Sequence, residues 1–205
     1  MKYLAIDTSG SYLTVIACDG KKSSVKYEEN CALNHSVALM GEVENALAET
    51  GLAAKDIDVF ACSVGAGSFT GIRIGVSTVK AFAYALNKKV LGVTSFESLA
   101  YSIEERVKNL TLICARHGNY YAAGFDENGE MIMPPKFLSV EQINEIKDGY
   151  LLVADEDADN LGAVKADMVK GFKLAVEANL NKASFNDETL VPLYVKKSQA
   201  EEESC

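Results

Sequence analysis

The chain is predicted to form an α/β protein of two lobes, each built on a mixed sheet, with the second lobe smaller than the first. Two observations carry that prediction. The patterned segments of the first half run strand, strand, strand, helix, strand, helix, strand, helix, and strand signals restart at Leu110. Between an apolar run and an apolar helical segment stands Gly65-Ala66-Gly67-Ser68-Phe69-Thr70-Gly71-Ile72-Arg73-Ile74-Gly75, four glycines in eleven residues, which reads as a strand-to-helix turn. At 205 residues, 48% hydrophobic and 24% charged, the chain is long enough for one large or two small globular domains.

The elements follow in order. Tyr3 to Asp7 is a short strand, Thr8 to Ser11 a turn, and Tyr12 to Cys18 a second strand. Asp19-Gly20 is a hairpin signal leading to a third, more polar strand from Ser23 to Glu29. After Asn34-His35-Ser36 an amphipathic helix runs to Thr50 with Leu39, Met40, Val43, Ala46 and Leu47 as its apolar stripe, and Gly51 ends it. Ile57 to Val64 is a strand, the glycine stretch turns the chain, and Ile72 to Leu86 is a helix. Lys89 to Val93 is a strand and a third helix runs from Ser95 to about Val107. The second half reads as strands Leu110–Arg116, Tyr120–Asp126 and Glu130–Phe137, a helix Ser139–Ile146, a strand Tyr150–Ala154 and a helix Val169–Asn179.

Three antiparallel strands followed by two strands reached through helical crossovers give a mixed sheet with helices on its faces. This resembles the ribonuclease H-like arrangement of the actin-like ATPases, which repeat the unit and bind ATP between the copies. Residues 1–105 are expected to form the first such lobe and residues 106–205 a reduced copy.

The glycine stretch invites an anion-binding reading, because a helix N-terminus presents free N–H groups and Ser68 and Thr70 can cap it. It lacks the Lys-Ser/Thr of a Walker loop, and its glycine spacing has one residue too many for a dinucleotide fingerprint. A tight turn that binds nothing stays open beside the anion site, with Asp7, Ser68 and Thr70 as the candidate ligand-facing residues. Asp7 itself reads as a turn-stabilising residue through an Asx-type hydrogen bond.

Four segments carry a family resemblance. Ile6-Asp7-Thr8-Ser9, the stretch Gly65 to Gly75, Ala115-Arg116 with Tyr120, and Val191-Pro192-Leu193-Tyr194-Val195-Lys196 occur in order along the chain. They resemble the signatures of the bacterial TsaB (YeaZ) family, with Ala66 in place of a usual proline and Lys196 in place of a usual arginine. The resemblance implies a non-catalytic subunit of the machinery that makes N6-threonylcarbamoyladenosine next to the anticodon of tRNAs reading codons that start with A. It implies a TsaD-type catalytic subunit and a TsaE-type ATPase as partners, tRNA contact only through the complex, and partner contact on the first-half helices. It implies no cofactor in the isolated chain, with ATP or ADP only at the partner interface. The actin-like position of Asp7 raises a small-molecule kinase as an alternative, but no second Asp-containing phosphate hairpin and no adenosine loop are legible. An inactive peptidase-like homodimer is the other alternative.

Metal chemistry has little to stand on: there are two histidines, His35 and His117, and Leu39 stands where a second helical ligand would follow His35. Ser68 is not in a Gly-x-Ser-x-Gly elbow. The five cysteines show no paired spacing, and Cys18, Cys62 and Cys114 in apolar runs are expected as buried reduced thiols. A net charge of −9 disfavours unaided tRNA binding. The chain opens directly on a strand and has no long uncharged apolar stretch, so a cytoplasmic protein is expected. The helix Ile72 to Leu86 is apolar on more than one side, and Gly71 and Gly75 would admit a second helix closely. The partner face is therefore expected at His35, Met40, Val43 and Leu47 on one helix and Ile72, Val76 and Val79 on the other.

Overall fold

The structure, a computed structural model, describes residues 1–115 and 118–195. Arg116, His117, Lys196, Lys197, Cys205 and the acidic tail before it lie outside the described residues. The chain divides into two compact units, one of Met1–Thr94 with Ala175–Leu193, the other of Ser95–Leu174 with the described residues from Tyr194. The third helix thus goes with the second unit, and the chain returns to the first unit at Ala175.

In the first unit β1 (Tyr3–Asp7), β2 (Leu13–Cys18) and β3 (Ser23–Glu28) precede α1 (His35–Thr50), β4 (Val59–Gly65), α2 (Phe69–Leu86) and β5 (Lys89–Thr94). The sheet order is β3-β2-β1-β4-β5, antiparallel through the first three strands and parallel from β1 to β4 to β5. This is the ribonuclease H-like order expected from the sequence. Every residue of β1, β2 and β4 is buried, as strands covered on both faces must be. Alternation sends Leu4, Ile6, Leu13, Val15, Phe60 and Cys62 into one core with Leu39, Val43 and Leu47 of α1 and Ile72, Val76 and Val79 of α2. Each such aliphatic side chain contributes about 1.5–3 kcal/mol by leaving water. Tyr3, on the opposite face, donates its hydroxyl to Glu177 at 2.9 Å.

Both helices stop where the sequence supplies a left-handed residue: Gly51 at φ 71° after α1 and Asn87 at φ 51° after α2. The end of α1 is tied to β3, since Glu49 accepts from the Ser24 hydroxyl at 2.6 Å and pairs with Lys26.

The second unit repeats the plan in shortened form. It holds α3 (Ser95–Ser102), β6 (Asn109–Cys114), β7 (Asn119–Phe125), β8 (Met131–Ser139), α4 (Val140–Ile146), β9 (Leu151–Ala154), β10 (Val164–Lys165) and the start of α5 (Met168–Asn179). The sheet order β10-β9-β6-β7-β8 matches that of the first unit, with β6 in the place of β1. The crossover before β10 has only the single 3-10 turn Asp159–Leu161 where the first unit has the 18 residues of α2. The core of this unit gathers Leu110, Leu112, Ala122, Ile143, Leu152 and Leu161. Ser139 caps α4 in a reciprocal box with Gln142. Edge strand β8 carries Pro134 and Pro135, and its register against β7 shifts between Ala122 and Gly124.

Two expectations differ from the structure, the end of the third helix and the burial of Cys114, and one strand is not foreseen. The third helix ends at Ser102 rather than near Val107, because Glu104-Glu105-Arg106 offers no apolar position to bury and Glu104 instead pairs with Lys170 at 2.9 Å. β10, two residues long, is too short to leave a periodic pattern. Cys114 is exposed at the end of β6, whereas Cys18, Cys31 and Cys62 are buried. Among the described residues no helix is long and apolar enough to cross a membrane.

Candidate functional site

The first hairpin, the glycine stretch and Leu193 of the closing segment meet in the first unit. Asp7 ends β1 with its carboxylate fully buried. One oxygen accepts from the Ser9 backbone N–H at 2.8 Å and from the Ser9 hydroxyl at 2.7 Å, which is the Asx-type turn the sequence suggests. The other accepts from the Tyr12 hydroxyl at 3.2 Å. Burial pushes the Asp7 carboxyl above its ordinary range, against the opposing pull of hydrogen bonds from Ser9, Tyr12 and Ser63. Thr14 pairs across from Asp7 in the β1–β2 register, and its buried hydroxyl has no hydrogen-bond partner.

The glycine stretch closes on this hairpin backbone to backbone. Ser68 N–H donates to the Ser9 carbonyl at 2.7 Å. A Cβ on Gly67 would stand 2.3 Å from that same carbonyl oxygen, and one on Gly71 would stand 1.9 Å from the Thr8 carbonyl oxygen. Only glycine tolerates such an approach. The Thr8 hydroxyl donates to the Gly71 carbonyl at 2.7 Å, and a Cβ on Gly75 would stand 2.7 Å from the same hydroxyl oxygen. The notch of Gly71 and Gly75 therefore receives Thr8 of the neighbouring turn, not a second helix as expected from the sequence. Ser68 is the N-cap of α2, its hydroxyl accepting from Gly71 N–H at 3.2 Å. Thr70 lies one step inside the helix and is exposed. The Arg73 guanidinium sits over the Phe69 ring at 5.1 Å. Leu193, from the closing segment, donates its N–H to Val64 at 2.7 Å, and its carbonyl would lie 3.0 Å from a Cβ on Gly65.

The residues expected to face a partner are, with one exception, inside. Val43, Leu47, Ile72, Val76 and Val79 belong to the core of the first unit. His35 is buried too, its Nε2 2.9 Å from the Tyr12 carbonyl oxygen. Met40 alone is exposed. The physical reason is plain: an amphipathic helix turns its most continuous stripe to the sheet, and Ile72, Val76, Val79 and Ala83 are that stripe in α2. On and around these helices the outward apolar residues are Met40 at 46% exposure and three that were not expected, Leu33 at 96% before α1, Val37 at 80% on α1 and Tyr84 at 88% on α2. Their signal in the sequence is the three-residue spacing of Val37 and Met40 on the outward side of α1, with Leu33 in the turn before it.

In the second unit, Ala115 N–H donates to the Asn119 carbonyl at 2.9 Å and Tyr120 is buried. Asp155, after β9, accepts from Cys114 N–H at 3.1 Å, and burial pushes its carboxyl up to about 6. Among the described residues no three His, Cys, Asp or Glu side chains come together to hold a metal ion.

Residues 28–181 match the model of the TsaD family, tRNA N6-adenosine threonylcarbamoyltransferase. The chain is 29% identical over 149 residues to the tRNA threonylcarbamoyladenosine biosynthesis protein TsaB of Buchnera aphidicola subsp. Schizaphis graminum, covering 71% of this chain and 70% of that one. It is 35% identical over 100 residues to TsaB of Bacillus subtilis (49% and 44%). It is 30% identical over 134 residues to TsaB of Escherichia coli (63% and 58%). The matches to the latter two thus span about half the length of those relatives. The solved structure of YeaZ from Pseudomonas aeruginosa superposes with a TM-score of 0.79 at 23% identity, covering 94% of this chain and 99% of that one, and so shares the fold. The chain belongs to the family of the TsaD-type threonylcarbamoyltransferases and, within it, to the TsaB (YeaZ) group.

Proposed function

We propose that this chain is a non-catalytic subunit in the formation of N6-threonylcarbamoyladenosine in tRNA, docking onto a TsaD-type catalytic subunit in the cytoplasm. The observation that carries the reading is the set of outward apolar residues Val37 and Met40 of α1, Leu33 in the turn before it and Tyr84 on α2, two helices that share one core on one face of the first sheet. A soluble chain leaves a row of such residues in water at a cost, and a partner relieves it. The docking face is thus this set of residues rather than the buried stripe. The lone chain forms a homodimer through the same residues, and tRNA and a TsaE-type ATPase join only in the larger complex.

The glycine stretch supports the non-catalytic part. Its N–H at Ser68 is engaged by the Ser9 carbonyl, and the space beside Gly67, Gly71 and Gly75 is filled by Ser9 and Thr8. The Asp7 carboxylate already accepts from Ser9, Tyr12 and Ser63. A kinase would need both to face phosphate and a metal ion. Nucleotide, if present in the complex, belongs to the partner interface.

The test is co-elution of the purified chain with its TsaD-type subunit. Val37→Glu and Met40→Glu each place a carboxylate where it would be desolvated on docking. Affinity is expected to fall by at least about tenfold, or ~1.4 kcal/mol, for each. Both variants are expected to melt like the parent. Unchanged co-elution of the double variant would put the docking face elsewhere.

A further inference from the structure

We propose that Thr8, seated in the notch made by Gly71 and Gly75, is a positioning residue that sets the pose of α2 and thereby the fit of the docking face. The proposal rests on the reading of the chain as a docking subunit.

The two glycines stand four residues apart and so lie on one side of α2, a turn above one another. That side meets Thr8 with no side chain between. Thr8 is fully buried, its hydroxyl bonds the Gly71 carbonyl at 2.7 Å, and Cβ atoms on Gly71 and Gly75 would lie 1.9 Å and 2.7 Å from its oxygens. Thr8 cannot withdraw, because Asp7 before it and Ser9 after it are locked together and the Ser9 carbonyl holds Ser68. At Gly71 helix backbone therefore rests on strand-end backbone, and at Gly75 it rests on the Thr8 hydroxyl, whose rotamer is held by its bond to the Gly71 carbonyl. The rest of the inner face, Val76, Val79 and Ala83, packs through side chains, which yield by a few tenths of an ångström.

The consequence falls on the outward side. α1 shares that core through Leu39, Val43 and Leu47 but has an anchor of its own in the Glu49 tie to β3. A lateral push at Gly75 moves α2 relative to α1 without undoing either seat. α2 extends about 27 Å at ~1.5 Å per residue, so a tilt pivoting near its start displaces Tyr84 more than it displaces the notch. Docking onto a rigid partner reads such displacements as lost complementarity.

A double-mutant cycle tests this: Gly75→Ala, Thr8→Ala and the pair together, each with its melting temperature and its Kd for the purified TsaD-type subunit by calorimetry. Gly75→Ala is expected to weaken binding about tenfold while still melting cooperatively. Thr8→Ala, which empties the notch and forces nothing apart, is expected to weaken it about threefold, and it carries the test by itself should Gly75→Ala not fold. In the double variant the new methyl group occupies the space Thr8 leaves, and affinity is expected to return to within about threefold of the parent. Its melting temperature stays below the parent's, because the hydroxyl bond to Gly71 is gone. Stability and affinity then part ways, which a purely structural role does not produce. Parent-like binding by both single variants overturns the proposal, as does a double variant that binds no better than Gly75→Ala. A parent chain that does not bind the TsaD-type subunit overturns the docking reading itself, and this proposal with it.

Discussion

Replacing Val76 by arginine should cost the protein most of its fold. Val76 is 5% exposed and shares a core with Ile6, Val43, Cys62, Ile72 and Val79. Loss of its burial removes about 1.5–3 kcal/mol. Forcing a longer side chain into a packed interior costs about 1–3 kcal/mol more. A guanidinium without a partner among those aliphatic groups adds several kcal/mol, because its desolvation is not offset. The total, about 5–9 kcal/mol, compares with the ~5–15 kcal/mol that holds a typical domain together. At roughly 2–4 °C per kcal/mol for a chain of this size, the melting midpoint should fall by at least ~10 °C, or the cooperative transition should vanish. Val37→Arg is the control: at 80% exposure it should change stability by no more than about 0.5 kcal/mol. Circular dichroism melts of the two variants decide the matter. A Val76→Arg chain melting within about 3 °C of the parent would refute the placement of this stripe in the core.

Other consequences can be checked in the same preparations. Asp155 titrates at about 6 in the folded chain against the 3.8 of an ordinary aspartate, so its contribution to stability is full below ~3.8 and is lost as pH climbs through about 6. Asp155→Asn, which does not ionise, should therefore gain on the parent by about 2 kcal/mol between pH 4 and pH 7.5, and an equal melting difference at both pH values would contradict this. Ser68→Ala removes the N-cap of α2 and should lower stability by about 1 kcal/mol; denaturant midpoints that coincide with the parent's would argue against that cap. In a Cys205→Ser background, Cys114 should react with a thiol reagent in the native state while Cys18, Cys31 and Cys62 react only on unfolding, and a fully protected native chain would place Cys114 inside.

Much of this could be read from the chain before its structure. Strand β1 and the turn role of Asp7 follow from local patterns, an apolar run and an aspartate two residues before a small polar one. The cap at Ser68 is equally local. What escaped was decided at long range. Periodicity finds the stripes of α2 but does not say which one meets the sheet, since Ile74 and Phe82 continue apolar surface around its flank and are only half buried. The partner of the Gly71–Gly75 notch lies 63 residues away in the chain, and no local rule names Thr8 for it. Cys114 belongs to an apolar run, but it is the last residue of its strand, where alternation no longer guarantees cover.

The paired prolines of β8 have a consequence for how the second unit behaves in a concentrated solution. β8 is the outermost strand of its sheet, and Met131, Ile132 and Phe137 along it are exposed. An open border of that kind recruits strands from other molecules and templates fibrils. Pro134 and Pro135 leave two consecutive residues of β8 without N–H donors, so the alternation of a strand removes one from that border, the register shift beside them twists it, and Lys136 adds a charge that a stacked copy would repel. An incoming strand finds no uninterrupted ladder to extend. Replacing both prolines with valine would restore the donors and lengthen the sticky segment, and the expected penalty is paid in colloidal behaviour on storage at high concentration.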